Sequence, residues 1–532
     1  MRDKMVDWLS RQDEVTFDRV LRLCQRHVSE SFSQSPTKHS IAEHAVLSLD
    51  LLCTLYFYYV TCIDEADQSF WLRESEESTR HELFCNATIS SRLDIRYAYQ
   101  RWLTCQPHDL HYLDHPHLLD VDCKTQVWRF AVLSNMASGN ATAQAFSHSI
   151  ATLTRPAALL SAFITHYPTL QHVSHLSDGY FSLDLRRQHL TQDFFDQVGM
   201  QLCNTRKPLK TRYVHGGEEG LDQGGLQKEF FLEAAPLLFD VDYGMFFYNE
   251  RTRLRWINGQ STAPLHHFEI LGAFVGLAVY NGIVLDLGFP LLMWKRLLGC
   301  TPTLVDLTEI DPEMGRGLRA LLDWETDDVE MVFARNFEIS FQDETNTHVT
   351  HTPLIPGGQD VAVTNDNRVE FVQLYVDYVT TILPGKPFDA FKRGFYSACD
   401  SRALQLFTAQ ELSVMAGGTS ELDMHALESV CEYEDGYSAD HPTIRNFWSI
   451  VHTFIDDQKR LLLKFITASD RAPPGGLSKL RFSILRNGPD SDRLPTSYTC
   501  FNRLLLPEYT SHATLRTSLL IAMEHGVGFG LV

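Results

Sequence analysis

The chain has 532 residues, 44% of them hydrophobic and 21% charged, with a formal net charge of −21. That length exceeds a single hydrophobic core and predicts two to four domains, while the composition excludes a chain that is mainly disordered linker. So acidic a balance opposes a phosphate backbone, and nucleic acid is not an expected partner.

Phe17, Val20, Leu21, Cys24 and Val28 recur at helical spacing, as do apolar positions in 45–60 and 127–136. Residues 1–164 are therefore expected to form a helical region that scaffolds the rest or docks a partner. Residues 134–144 are small and polar and predict a loop. Helices are expected to continue through 154–209, including the basic-polar stretch Leu185-Arg186-Arg187-Gln188-His189-Leu190. Gly216, Gly217, Gly220, Gly224 and Gly225 then mark tight turns before a helix at 227–238. A glycine-rich loop before a helix can hold phosphate. Here the Walker Gly-Lys-Ser/Thr ending is missing, and Glu218, Glu219 and Asp222 would repel an anion.

Residues 268–298 are strongly apolar, and Gly272 and Gly276 share one helix face that permits close packing. Residues 306–324 predict a surface helix after a polar turn, and 361–367 a strand and turn. Gly417-Gly418-Thr419-Ser420 predicts a hinge. Downstream, 444–465 reads as one helix with Phe447, Trp448, Ile450, Val451, Phe454 and Ile455 on its apolar face. A loop at 471–476, a strand at 482–485, a turn at 487–490 and a helix at 515–525 complete an α/β unit over 421–532.

The 11 cysteines are odd in number and none stands at C-x-x-C spacing. Zinc clusters and a disulfide framework are therefore not expected, and reduced thiols in the cytosol or nucleus are. The start, Met1-Arg2-Asp3-Lys4, lacks the apolar core of a signal peptide. The apolar run 45–63 contains Asp50, and 268–294 contains Glu269 and Asp286. An acid at the bilayer centre costs about 3 kcal/mol, so both runs are expected as buried helices without membrane insertion.

The segment Leu494-Pro495-Thr496-Ser497-Tyr498-Thr499-Cys500-Phe501-Asn502, followed by Leu504-Leu505-Leu506-Pro507-Glu508-Tyr509, resembles the active-site segment of HECT-type E3 ubiquitin ligases. Gly528-Phe529-Gly530-Leu531 resembles the C-terminal tail of that family. Gly220-Leu221-Asp222-Gln223-Gly224-Gly225-Leu226-Gln227-Lys228-Glu229-Phe230-Phe231 resembles its N-lobe signature. Gly276–Gly282, Ala390–Phe395, Glu432–Tyr437 and Asp470–Pro473 match in the same order. The resemblance covers roughly 165–532 and is nearest to the subgroup of the E6-associated protein and the HERC ligases.

The resemblance implies an α+β architecture: a mainly helical N-terminal region, then a bilobal domain with a large N-lobe (165–416), a flexible hinge (417–420) and a smaller α/β C-lobe (421–532). It implies that Cys500 accepts ubiquitin from a ubiquitin-charged E2 enzyme as a thioester and passes it to a substrate lysine. No cofactor is implied. Transthiolation needs a thiolate fraction and in-line access rather than a strong base. Thr499 could donate to the developing oxyanion. Phe529, Asp470 and Arg471 are implied at the transfer step. Met314, Leu318, Leu321, Phe333, Phe371 and Tyr375 are implied as the E2 groove; 314, 318 and 321 fall on one helical face. The family usually has histidine where this chain has Tyr498, a poor base at neutral pH. The alternative is therefore a catalytically weak scaffold of the same fold. Cys399 and Cys431 carry no motif and are expected as buried hydrophobes.

Overall fold

A computed structural model describes residues 14–34, 45–66, 83–104, 111–153, 179–214, 225–342, 349–399, 401–489, 493–499 and 501–525. The chain divides into two compact units, one of residues 1–137 with 400–411, the other of 138–399 with 412–532.

The first unit is helical: α1 (Glu14–Gln34), α2 (Val46–Ala66), α3 (Ala87–Arg92), α4 (Ile95–Thr104) and the start of α5 (Val121–Leu153). Leu21, Cys24, Val28 and Phe32 form the buried face of α1, and Leu49, Leu52 and Leu55 that of α2. The buried Asn86 caps α3 by accepting from the Ile89 N–H (3.1 Å) and donates to Ser29 Oγ (2.8 Å). Lys124, 4% exposed, is neutralised by Glu411 at 2.8 Å, and the Arg402 guanidinium lies 4.3 Å from the Trp102 ring centroid. These contacts hold the distant segment 400–411 in this unit. The expected loop at 134–144 is instead a continuous part of α5. Ala137, Ala141 and Ala143 are strong helix formers and no proline interrupts the run, which outweighs the cost of Gly139.

The second unit opens with β1 (Phe181–Leu185), α6 (Leu190–Gln201) and β2 (Leu209–Tyr213), with β1 and β2 parallel. A strand, not a helix, therefore precedes the basic stretch. Phe181, Leu183 and Leu185 alternate inward at the two-residue period of a strand. Then follow α7 (Gly225–Leu238), the hairpin β3 (Phe246–Asn249) and β4 (Leu254–Ile257), α8 (Leu265–Tyr280) and α9 (Leu291–Leu298). Helix α8 is almost wholly buried and packs on Gly385–Ala398. A Cβ on Gly272 would stand 1.9 Å from the Phe391 carbonyl oxygen, and one on Gly394 1.7 Å from that of Glu269. Only glycine lets these backbones approach so closely.

A smaller subdomain contains α10 (Leu304–Ile310), α11 (Pro312–Leu322), α12 (Val329–Phe333), the antiparallel pair β5 (Glu338–Gln342) and β6 (Val349–Pro353), and α13 (Arg368–Asp377). The single helix expected over 306–324 is two. Asp311 caps α11 by accepting from the Glu313 and Met314 N–H groups, with Pro312 in the first helical position. Thr303 and Asp306 form a capping box that starts α10 upstream of the expected point. The strand expected at 361–367 reduces to a bridge from Ala362 to Asn336, then a turn in which Asn367 Oδ1 accepts from the Thr364 N–H.

After α14 (Gly385–Ala398), α15 (Ser401–Leu404) and α16 (Ala409–Gly417), the chain enters a four-stranded sheet domain. It comprises α17 (Met424–Ser429), β7 (Cys431–Glu434), α18 (Pro442–Val451), α19 (Asp456–Thr467), β8 (Phe482–Arg486), β9 (Thr496–Tyr498), β10 (Arg503–Leu506) and α20 (His512–His525). Strand order is β7-β8-β10-β9, with β8 parallel to both neighbours and β9 antiparallel to β10. The helix expected over 444–465 breaks between α18 and α19. The Thr453 hydroxyl donates to the Ile450 carbonyl at 2.7 Å, and the Ile455 N–H donates to the Gln458 side chain at 3.3 Å. Acidic Asp456 and Asp457 then occupy the first turn of the new helix, where its dipole favours them.

Candidate active site

Leu504 and Leu506 are fully buried with Phe482, Ile484, Phe447 and Leu515, which fixes β10 in the middle of the sheet. The Tyr437 hydroxyl donates to the Leu506 carbonyl at 3.0 Å. The Tyr509 hydroxyl donates to the Arg493 carbonyl, and the Tyr509 carbonyl accepts from Thr443 Oγ1 at 3.3 Å. These bonds tie both ends of the hairpin to the core. On β9, Ser497 Oγ donates to the Phe465 carbonyl at 2.5 Å, while Thr496 and Tyr498 on either side are exposed.

Pairing of Arg503 with Tyr498 leaves 499–502 as the connection. The Phe501 N–H donates to the Tyr498 carbonyl (3.0 Å) and the Asn502 N–H to the Thr499 carbonyl (3.4 Å). Asn502 has φ +51°, in the left-handed region that asparagine tolerates better than most side chains. Its Nδ2 donates to the Arg481 carbonyl at 3.2 Å and its carbonyl accepts from the Ser483 N–H at 3.3 Å. The connection is thus anchored from beneath by Asn502. Thr499 is half-buried, Phe501 is 50% exposed and Tyr498 43%. Cys500 lies outside the described residues, as do Phe529 and the glycines from 216 to 224.

Asp470 and Arg471 are half-buried in the turn after α19. Arg471 directs its guanidinium to Asp286, with Nε at 2.8 Å and Nη2 at 2.6 Å. The adjacent residue, Ala472, exchanges two backbone hydrogen bonds of 2.9 Å with Thr419. Gly417 closes α16 and Gly418 follows at φ +69°. A Cβ on Gly418 would meet the Ala472 carbonyl oxygen at 2.4 Å. Glycine is needed there for both φ and space. The Arg471–Asp286 pair has no local sequence signal, since its partners are 185 residues apart; only complementary charge could have suggested it.

The six groove residues gather in one cluster. Leu318, Leu321, Phe371 and Tyr375 are buried with Val329, Phe337 and Ile339, and Met314 and Phe333 pack against them half-buried. The Phe371 and Tyr375 ring centroids are 5.8 Å apart. The first four therefore serve as subdomain core. Met331, Val332 and Val369, which sequence reasoning passed over, are the exposed apolar side chains on α12 and α13.

Of the other cysteines named from sequence, Cys399 is buried as expected and Cys431 is only half-buried. Burial pushes the Cys431 thiol up to about 12, and Cys399 is enclosed, its Sγ 3.3 Å from the Gly276 carbonyl. Among the described residues of the sheet domain, one cluster has ligand-type donors. His452 Nε2 lies 2.6 Å from Glu428 and its ring stacks on His425 at 3.8 Å.

The HECT-domain (ubiquitin-transferase) family model matches residues 231–532, which include the close-packed α8–α14 pair, the small subdomain and the sheet. The chain belongs to the HECT-domain family. Similar proteins include the probable E3 ubiquitin-protein ligase HERC4 of Homo sapiens, 40% identical over 351 residues. That stretch is 66% of this chain and 33% of HERC4. The probable E3 ubiquitin-protein ligase HECTD2 of Mus musculus is 39% identical over 366 residues, 66% of this chain and 46% of that protein. The probable E3 ubiquitin-protein ligase HERC3 of Homo sapiens is 38% identical over 353 residues, 66% and 33%. The match thus spans less than half of each relative. Within the HECT region the fold is mixed helix and strand, as the resemblance implies. No helix among the described residues is long and apolar enough to cross a membrane.

Proposed function

We propose that the chain is an E3 ubiquitin ligase that takes ubiquitin from a charged E2 as a thioester on Cys500 and transfers it to a substrate lysine. The observation that carries this reading is the β9–β10 connection to which Cys500 belongs, where Tyr498 and Phe501 are exposed, Thr499 is half-buried and Asn502 is the anchor. In the first step the Cys500 thiolate attacks the E2 thioester carbonyl. The Thr499 hydroxyl donates to the oxyanion that forms, and the E2 thiolate leaves. In the second step a lysine amine attacks the new thioester carbonyl and loses a proton to a nearby carboxylate, and the C–S bond breaks to release the Cys500 thiolate. Asp470 is the candidate for that proton, and Phe529 for orienting the transfer.

The proposal gives residues 165–416 the role of N-lobe and 421–532 that of a mobile C-lobe. Rotation about 417–420 carries Cys500 from the E2 to the substrate. The E2 docks on the 304–377 subdomain, where Met314 and Phe333 meet it and Leu318, Leu321, Phe371 and Tyr375 shape the surface from beneath. A catalytic thiol must stay reduced, which favours a cytosolic or nuclear location. Tyr498 in place of the usual histidine favours a second reading, a scaffold of the same fold with weak transfer. Incubation with E1, E2, ubiquitin and ATP followed by a non-reducing gel separates the two. A thiol-sensitive ubiquitin adduct absent from Cys500→Ala supports the ligase; absence of any adduct leaves the scaffold.

A further inference from the structure

Cys53 on α2 and the pair His115 and His117, which flank Pro116 ahead of α5, come together although 62 residues separate the thiol from the first imidazole. Cys53 Sγ lies 3.1 Å from His115 Nδ1 and 3.7 Å from His117 Nε2, and all three donor atoms fall within 4.8 Å of one another. Zinc held at the usual sulfur and nitrogen bond lengths in a tetrahedron separates S from N by roughly 3.5 Å and N from N by roughly 3.3 Å. The two sulfur–nitrogen distances bracket that value. The donors are also held in place. The His117 ring stacks on Tyr56 at 4.7 Å and 16°, and His115 sits edge-on to it with centroids 6.0 Å apart. His115 turns Nδ1 toward Cys53 Sγ, which makes Nδ1 its ligating atom. All three residues are half-buried, so bulk water does not surround them.

We propose that Cys53, His115 and His117 bind one zinc ion. One thiolate with two imidazoles suits zinc better than calcium or magnesium, which take oxygen ligands. On binding, the thiol proton passes to solvent and Cys53 ligates as thiolate. The fourth position is taken by water, as in other three-ligand zinc sites. His117 also lines a pocket of about 190 Å³ with Tyr56, Lys124 and Glu411. The ion pins α2 to the turn before α5 and braces the N-terminal unit. C-x-x-C spacing does not detect this site because its ligands come from a helix and a distant His-Pro-His turn.

Metal analysis of the full chain, purified with zinc and desalted, is expected to find one zinc per chain, lost in the double variant Cys53→Ser/His117→Ala. Because that variant could misfold, two measurements use the unaltered chain. Cobalt(II) added after chelation should produce a thiolate-to-metal charge-transfer band and tetrahedral visible bands. Alkylation of Cys53, mapped by mass spectrometry, should be slowed at least tenfold by zinc relative to chelator. Zinc-free protein whose Cys53 is alkylated equally fast with and without zinc would overturn the site and leave a hydrogen-bonded thiol. Full retention of zinc in the folded double variant would overturn it as well.

Discussion

In the 304–377 subdomain, Leu318, Leu321, Phe371 and Tyr375 are inside the core that holds the subdomain together. At the β9–β10 connection, Tyr498 and Phe501 face solvent, Thr499 is half-buried, and the hairpin is held instead by Leu504, Leu506, Ser497 and Asn502. Residues proposed for docking that are also core cannot change without cost to the fold. Residues proposed for the chemical step lie outside that core and can. The two regions should therefore answer substitution differently, one through stability and the other through rate.

The largest stability effect is expected for Leu321→Ala, which leaves a cavity in the subdomain core. Urea unfolding should show a loss of about 2–5 kcal/mol, with E2-dependent ubiquitin loading falling in step; unchanged stability would place this side chain outside the core. Thr499→Ala should move stability by less than about 0.5 kcal/mol. It should slow thioester formation on the order of 10²-fold if its hydroxyl serves the oxyanion, read in single-turnover assays. Asp286→Asn releases Arg471 from a partly exposed pair (27% and 41% of the side chains accessible). The expected loss of stability is below about 1 kcal/mol. Discharge of the loaded enzyme to free lysine should quicken as the turn after α19 is released. The smallest effect is expected for Tyr498→His. Stability should hold within about 0.5 kcal/mol, and lysine transfer near neutral pH should rise modestly because imidazole titrates in that range.

Much of this was legible in the sequence because it was periodic or punctuated. The two-residue alternation of Phe482 and Ile484, the apolar face around Phe447 and Val451, and the shared face of Gly272 and Gly276 each dictate one local outcome. What failed was continuity. The run of small polar residues at 134–144 predicts a loop, although alanine sustains the helix. Each of two helix pairs reads as a single helix because Pro312 and the Thr453–Ile455 caps act within one or two residues, below the window of a periodic pattern. Nor could sequence place Arg471 on Asp286, or Lys124 on Glu411, since such pairs are joined only by the tertiary fold. The residues expected as a groove do cluster, but periodicity reports that a face is apolar without saying whether solvent, core or partner covers it.

The most direct test is a single-turnover chase of ubiquitin-charged E2 onto the full chain, with the adduct located by mass spectrometry. Ubiquitin is expected on Cys500 through a thiol-labile bond, absent in Cys500→Ala and retained in Tyr498→His. Loading that persists in Cys500→Ala, or that maps to another cysteine, would contradict the assignment of the β9–β10 connection as the site of transfer.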